Sequence, residues 1–147
     1  MNPRFLKFAK EASKESTYEG SRTNVNIGAV LVYHGTILAK GSNTNKTHPM
    51  QDRVNAFRYD KTSITKYCPP KVHAEVSCIS KCKWLDIDFS KAELYIYREY
   101  KNGDLALARP CPSCMALIKE YGIHNICYST PDGYAIEKLN KKNKEGT

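Results

Sequence analysis

The 147-residue sequence predicts a three-layer α/β fold. Helices should cover both faces of a central mixed five-stranded sheet whose last two strands run antiparallel. Three observations carry that expectation. Helical and strand-like periodicities alternate along the chain. A β-rich run, NIGAVLVYHGTILAKG, is interrupted at His34-Gly35, which marks a hairpin. The stretch from Tyr128 to Tyr134 is too short to hold a crossover helix, so the strands flanking it must pair antiparallel.

Each element has its own signal. Asn2-Pro3 reads as a helix cap followed by proline at the first helical position, and Phe5, Leu6, Phe8, Ala9 and Ala12 recur at helical spacing to about residue 15. Residues 16–24 are polar and form a loop. The hairpin strands fall near 26–33 and 36–41. From Ser42 to Pro70 the chain is polar and irregular, a length that marks a functional loop or lid. VHAEVSCISKC has helical composition, with Val72, Val76 and Ile79 on one side. AELYIYREY, residues 92–100, alternates Leu94 and Ile96 against Tyr95 and Tyr97, and Lys101-Asn102-Gly103-Asp104 turns it. CPSCMALIKEYG is a second core helix ending at Gly122. IHNICYS and YAIEKL are the final strands, joined by the turn Thr130-Pro131-Asp132-Gly133.

Composition bounds the function. The length suits one domain over residues 1–147, ending in a basic tail at 140–147. With 41% hydrophobic and 26% charged residues the chain is of ordinary globular type. No apolar run reaches the roughly 18 residues of a membrane span, and the N-terminus lacks a signal-peptide pattern. A cytoplasmic location is expected. There, six cysteines are metal ligands, reactive thiols or buried apolar residues rather than a disulfide framework. The net charge of +8 points to an anionic partner such as a nucleotide. Part of that excess belongs to Lys138, Lys141, Lys142 and Lys144 near the C-terminus, and the other basic residues are scattered.

The chemistry concentrates at RPCPSC, residues 109–114. Cys111 and Cys114 share one side of a first helical turn, where free N–H groups and the helix dipole favour thiolates. Alone, the pair allows a redox couple, half of a closed zinc site, part of an open one, or two buried thiols. A thioredoxin-type couple expects a nearby tryptophan, and Trp84 lies far upstream. An all-cysteine zinc site would have to recruit Cys78 and Cys82, which sit four apart with Cys78 facing the core. His73, opening the preceding helix, is the better third ligand. Three protein ligands leave one tetrahedral position for water, the mark of a catalytic zinc. Glu75, two residues on, is placed to move a proton over that position without ligating.

H-x-E followed some 35 residues later by P-C-x-x-C is the signature of zinc-dependent nucleobase deaminases, and His73, Glu75, Pro110, Cys111 and Cys114 match every element. With GAVLVYHGTILAKGSN, LYIYREY and CPSCMALIKEYGIHNICY, the sequence resembles the cytidine deaminase-like superfamily over roughly residues 1–139. The resemblance implies one catalytic Zn2+ on His73, Cys111 and Cys114, with Glu75 as proton shuttle. It implies that Asn43, closing the hairpin, holds the substrate sugar and that the backbone at Ala74 meets the base. The antiparallel ending resembles free-cytidine, blasticidin and toxin deaminases more than the branch of tRNA adenosine, deoxycytidylate and polynucleotide deaminases.

The expected activity is hydrolysis of a cytosine-type base to uracil, in a pyrimidine nucleoside or nucleotide, with loss of ammonia. Action on single-stranded DNA or RNA is the first alternative, and a zinc-containing binding module without catalysis the second. Arg98 and Arg109 flank the insertion before the zinc helix and suit either a phosphate or a surface ion pair. His48 and Cys68 would be placed for a second metal, against the simpler reading of a capping loop. Phe57, Tyr59 and Tyr67 suit base stacking or loop anchoring, Tyr95, Tyr97 and Tyr100 sheet packing, and Cys127 burial in a strand. Homo-oligomer formation is a further expectation from the resemblance, and a membrane partner is not expected.

Overall fold

The computed structural model describes residues 1–15, 26–43, 73–100 and 102–139. Asn2 opens the first helical segment as expected: its side chain accepts a hydrogen bond from the Arg4 N–H at 3.1 Å, capping a 3-10 turn, Pro3–Phe5. Helix α1 (Leu6–Ser13) continues from it and stops two residues short of the expected end. Strands β1 (Asn26–Tyr33) and β2 (Thr36–Ser42) form the hairpin. It turns on His34 and Gly35, both at positive φ, the two-residue geometry that matches strand twist. Helix α2 (Ala74–Ser80), strand β3 (Ala92–Glu99), helix α3 (Pro112–Glu120), and strands β4 (Asn125–Thr130) and β5 (Gly133–Lys138) follow.

The five strands form one mixed sheet in the order β2-β1-β3-β4-β5. β1 pairs antiparallel with β2 and β3, β3 pairs parallel with β4, and β4 pairs antiparallel with β5, as the short final connection required. The parallel pair β3-β4 needs a crossover connection, and α3 lies in it; α2 lies in the other crossover, from β2 past β1 to β3. Helix α3 ends in a left-handed C-cap. The Gly122 N–H donates to the Lys119 carbonyl at 3.0 Å and the Ile123 N–H to the Ile118 carbonyl at 3.1 Å.

Two apolar cores lie on opposite faces of the sheet. On one, Phe5 and Ala9 pack with Val30, Val32, Tyr95, Tyr97 and Cys127. On the other, Val76, Cys78 and Ile79 of α2 and Cys114, Leu117 and Ile118 of α3 pack with Leu94, Ile96 and Ile126. β3 is therefore buried on both sides, which explains its near-continuous apolar run. Tyr100 departs from its expected packing role: it lies beyond the end of β3 and is 45% exposed.

Two glycines let the helices close on the sheet. A Cβ at Gly28 would stand 2.1 Å from the Ala9 carbonyl oxygen of α1, and one at Gly41 would stand 2.6 Å from the Cys78 nitrogen of α2. No side chain fits at either place. The pairing of Gly41 with α2 matters for the site, because it fixes the helix that His73 immediately precedes and whose first turn carries Glu75. The expected lid beyond residue 43 lies outside the described residues, with His48, Phe57, Tyr59, Tyr67 and Cys68. The tail at 140–147 does too.

Candidate active site

His73 and Cys111 occupy the same position on two different helices. Each is the residue preceding the first helical turn, with extended backbone, and each backbone carbonyl accepts the first intrahelical bond: from Ser77 at 2.9 Å and from Met115 at 2.8 Å. Neither side chain caps its own helix. Imidazole and thiol turn instead towards each other, and Cys114, in the first turn of α3, joins them. His73 Nδ1 lies 3.2 Å from Cys114 Sγ and 3.6 Å from Cys111 Sγ. Two helix N-termini thus converge on one nitrogen and two sulfurs, where partial positive charge favours thiolates.

These three donors all lie within 4.8 Å of one another and form the one group of metal-holding type among the described residues. A tetrahedral zinc with one imidazole nitrogen and two thiolates spaces N and S about 3.6 Å apart, given metal–ligand distances of about 2.0–2.3 Å. The observed spacings match that, and the mixed N/S donor set is of zinc type. The residues fit the ion. Cys111 is pulled down to about 3, foremost by its hydrogen bond with Cys114; burial opposes this, and His73 and Ser113 add to it. Ser113 Oγ lies 3.1 Å from Cys111 Sγ, a partner the sequence reading did not single out.

Glu75 is the acidic residue of the first turn of α2 and is buried at 6% exposure. Burial raises its carboxyl above the ordinary range; His73 opposes this, the Cys111 charge adds to it, and a hydrogen bond with Cys114 lowers it again. The carboxyl is thus in the same cluster as the donors, while the metal-holding group itself is complete without it.

The other expected residues fall out as follows. Asn43 continues the β2 ladder: its N–H donates to the Ile27 carbonyl at 3.3 Å, and its Oδ1 accepts from the Ile27 N–H at 3.1 Å. Ala74 is fully buried at the start of α2. Arg109 is engaged by β5, its Nε and one terminal nitrogen donating to the two Glu137 carboxylate oxygens at 3.0 and 2.9 Å. Arg98 donates to the Leu107 carbonyl at 3.3 Å. The ion-pair reading of Arg109 is realised in this structure. Cys78 and Cys82 are buried, Cys127 lies in the opposite core, and none belongs to the metal-holding group.

A His/Cys/Cys cluster of zinc type beside a buried carboxyl, on this sheet order, fits a zinc-dependent hydrolytic deaminase. The chain belongs to the family described as the cytidine and deoxycytidylate deaminase zinc-binding region, which residues 2–130 match, and it takes one Zn2+. No curated protein sequence matches it. Among solved structures it is similar to the dCMP deaminase of the cyanophage S-TIM5, at 24% identity over 88% of this chain and 86% of that one, TM-score 0.58. A second structure of that phage protein holds dCMP and dUMP. The cytidine deaminase of Burkholderia pseudomallei is 14% identical over 94% of this chain and 92% of that one, TM-score 0.62. The guanine deaminase of Bacillus subtilis is 25% identical over 88% of this chain and 65% of that one, TM-score 0.52.

Proposed function

We propose that this deaminase acts on a cytosine-type base in a free nucleoside or nucleotide, exchanging the exocyclic amine for a carbonyl oxygen and releasing ammonia. His73, Cys111 and Cys114 hold the zinc, Glu75 moves the protons, and Asn43 and Ala74 meet sugar and base. The observation that carries the reading is the convergence of His73, Cys111 and Cys114 beside the buried Glu75 carboxyl. A nucleotide substrate is supported by the chain's net charge of +8 and by the dCMP and dUMP held in the similar phage deaminase. The proposed substrate contact of Arg109 would require its guanidinium to share or exchange Glu137 for a phosphate.

Bound zinc supplies a water whose pKa falls to near 7, so that a nucleophile exists at neutral pH. The remaining work belongs to the chain. Glu75 accepts a proton at a carboxylate oxygen, stores it in a buried place where the neutral form is favoured, and returns it to the departing amine. One mole of water enters for each mole of ammonia lost, and no electrons are transferred. Burial of Glu75 keeps bulk water from competing for that proton.

The test is a substrate panel. Purified zinc-loaded protein and a Glu75→Gln variant are incubated with cytidine, deoxycytidine, their monophosphates, adenosine, guanine, and single-stranded DNA and RNA. Ammonia and product masses are then read. Deamination of the free cytosine compounds by the parent protein, lost in the variant, is the expected result. Turnover confined to polynucleotide or to purines would replace the substrate assignment. Full activity in the variant would remove Glu75 from its role.

A further inference from the structure

The connection that delivers Cys111 to the metal site is held by three strands in succession. Leu105 bridges Glu99 at the end of β3, and the Ala106 N–H donates to the Arg98 carbonyl at 3.0 Å. From β4, the Ser129 hydroxyl donates to the Ala106 carbonyl at 2.8 Å and accepts from the Arg98 N–H at 3.0 Å. The Ser129 carbonyl accepts from the Ala108 N–H at 2.9 Å. From β5, both carboxylate oxygens of Glu137 take the Arg109 guanidinium, and the Tyr128 hydroxyl donates to the same carboxylate at 3.1 Å. Arg109 is the last anchored residue before Pro110 and Cys111.

We propose that Glu137 is a positioning residue for the zinc centre, acting through Arg109. The inference rests on the reading of Cys111 as a zinc ligand. Cys111 sits between Pro110 and Pro112, whose rings fix their own φ angles. Bracketed this way, the ligand inherits its orientation from the residue before it, and that residue is locked by a two-point, planar ion pair. A single-point pair elsewhere shows the contrast: Lys40 and Glu15 meet through one contact of 2.9 Å with both side chains nearly 60% exposed. Arg109 and Glu137 are less exposed, at 48% and 30%, and Glu137 has a second donor in Tyr128. With the pair broken, the backbone bonds of Ala106 and Ala108 remain, but Arg109 and Pro110, the two residues before Cys111, lose their tether. The metal then has to recruit Cys111 from a wider set of orientations, which weakens its hold. Partners that orient a ligand from outside the donor set are worth about 10–100-fold in metal affinity.

The full chain is tested for Zn2+ affinity by chelator competition, and for the energies of its Co2+–thiolate absorption bands. Glu137→Gln is expected to bind zinc about 10-fold more weakly and to shift the cobalt bands. Glu137→Asp, which keeps the charge but cannot reach both nitrogens, should also weaken zinc binding, with the zinc-free chain melting as the parent does. Glu15→Gln should leave zinc affinity and cobalt bands unchanged. The charge-swapped double variant Arg109→Glu, Glu137→Arg should recover affinity. Parent-like zinc affinity and cobalt spectra in both Glu137 variants would overturn the proposal. Cys111→Ser separates the two claims: zinc lost there but kept in the Glu137 variants overturns only the positioning role. Zinc held as tightly in Cys111→Ser as in the parent overturns the ligand reading itself.

Discussion

The two closely spaced cysteine pairs of this chain have the same chemistry and opposite fates. Cys111 and Cys114 lie at the N-terminal end of α3, with His73 Nδ1 within 3.6 Å of both sulfurs. Cys78 and Cys82 lie at the C-terminal half of α2 and just past it, fully buried among Val76, Ile79 and Leu94. The first pair holds a thiolate: Cys111 is pulled down to about 3. In the second, burial pushes both thiols up, and the neighbouring Cys82 raises Cys78 further. The difference is one of place. A helix N-terminus offers unpaired N–H groups and the positive end of the dipole, and a helix C-terminus offers neither. Among the described residues, only the first pair also meets an imidazole from another helix.

The largest expected effect comes from exchanging the pairs' roles by substitution. Cys111→Ser should abolish zinc loading and lower turnover by at least about 10³-fold, the scale of losing an activated nucleophile together with its acid–base partner. Cys78→Ser should leave zinc content at one per chain and turnover near the parent's. Metal analysis and ammonia release on the two proteins check this, and loss of zinc from Cys78→Ser would break the contrast.

Next comes the packing behind the buried pair. Gly41→Ala would drive a Cβ to within 2.6 Å of the Cys78 nitrogen. It should cost about 3 kcal/mol, the upper range of overpacking, read as a lowered denaturant midpoint. Because α2 also carries His73 and Glu75, zinc affinity should fall with it. A wild-type midpoint would mean that α2 stands off the sheet.

A smaller effect is expected from alkylation. In zinc-free protein, iodoacetamide should label Cys111 first, Cys78 and Cys82 only on unfolding, and added zinc should protect Cys111. Peptide mass mapping gives the order. Labelling of Cys78 ahead of Cys111 would reverse the account.

The smallest expected effect is in pH dependence. Arg109 holds the Glu137 carboxyl below its ordinary value, and Tyr128 adds to this. A depressed carboxylate stabilises the fold above its unfolded pKa, and that contribution disappears as pH falls through the folded pKa. The pair is partly exposed, so it is worth at most about 1 kcal/mol. The zinc-free Glu137→Gln variant should therefore melt slightly below the parent at pH 7, and the two should converge in acid. A gap that widens as pH falls would contradict the assignment.

Much of this was legible in the sequence, for identifiable reasons. The His34-Gly35 turn, Gly122 and the short Tyr128–Tyr134 connection each leave few backbone solutions, so hairpin, helix end and antiparallel finish could be read directly. The donor set was legible because its spacing is tied to helix starts. The clip of Arg109 on Glu137 was not. It joins residues 28 apart, and its location depends on the register that pairs Ile126 with Glu137. That register also turns Tyr134 and Ile136 outward, at 52% and 49% exposed. Apolar alternation alone would have placed those two side chains in the core, leaving Glu137 to face solvent. Ser129 gave no signal either, since a serine in a strand is ordinary until the chain folded over it is known.

The most direct test of the contrast between the two pairs is X-ray absorption at the zinc edge of the purified protein. The account predicts one zinc per chain, with two sulfurs at about 2.3 Å and two nitrogen or oxygen neighbours at about 2.0–2.1 Å. The same shell should persist in Cys78→Ser and be lost in Cys111→Ser. Four sulfurs around the metal, or a shell that changes when Cys78 is replaced, would contradict it.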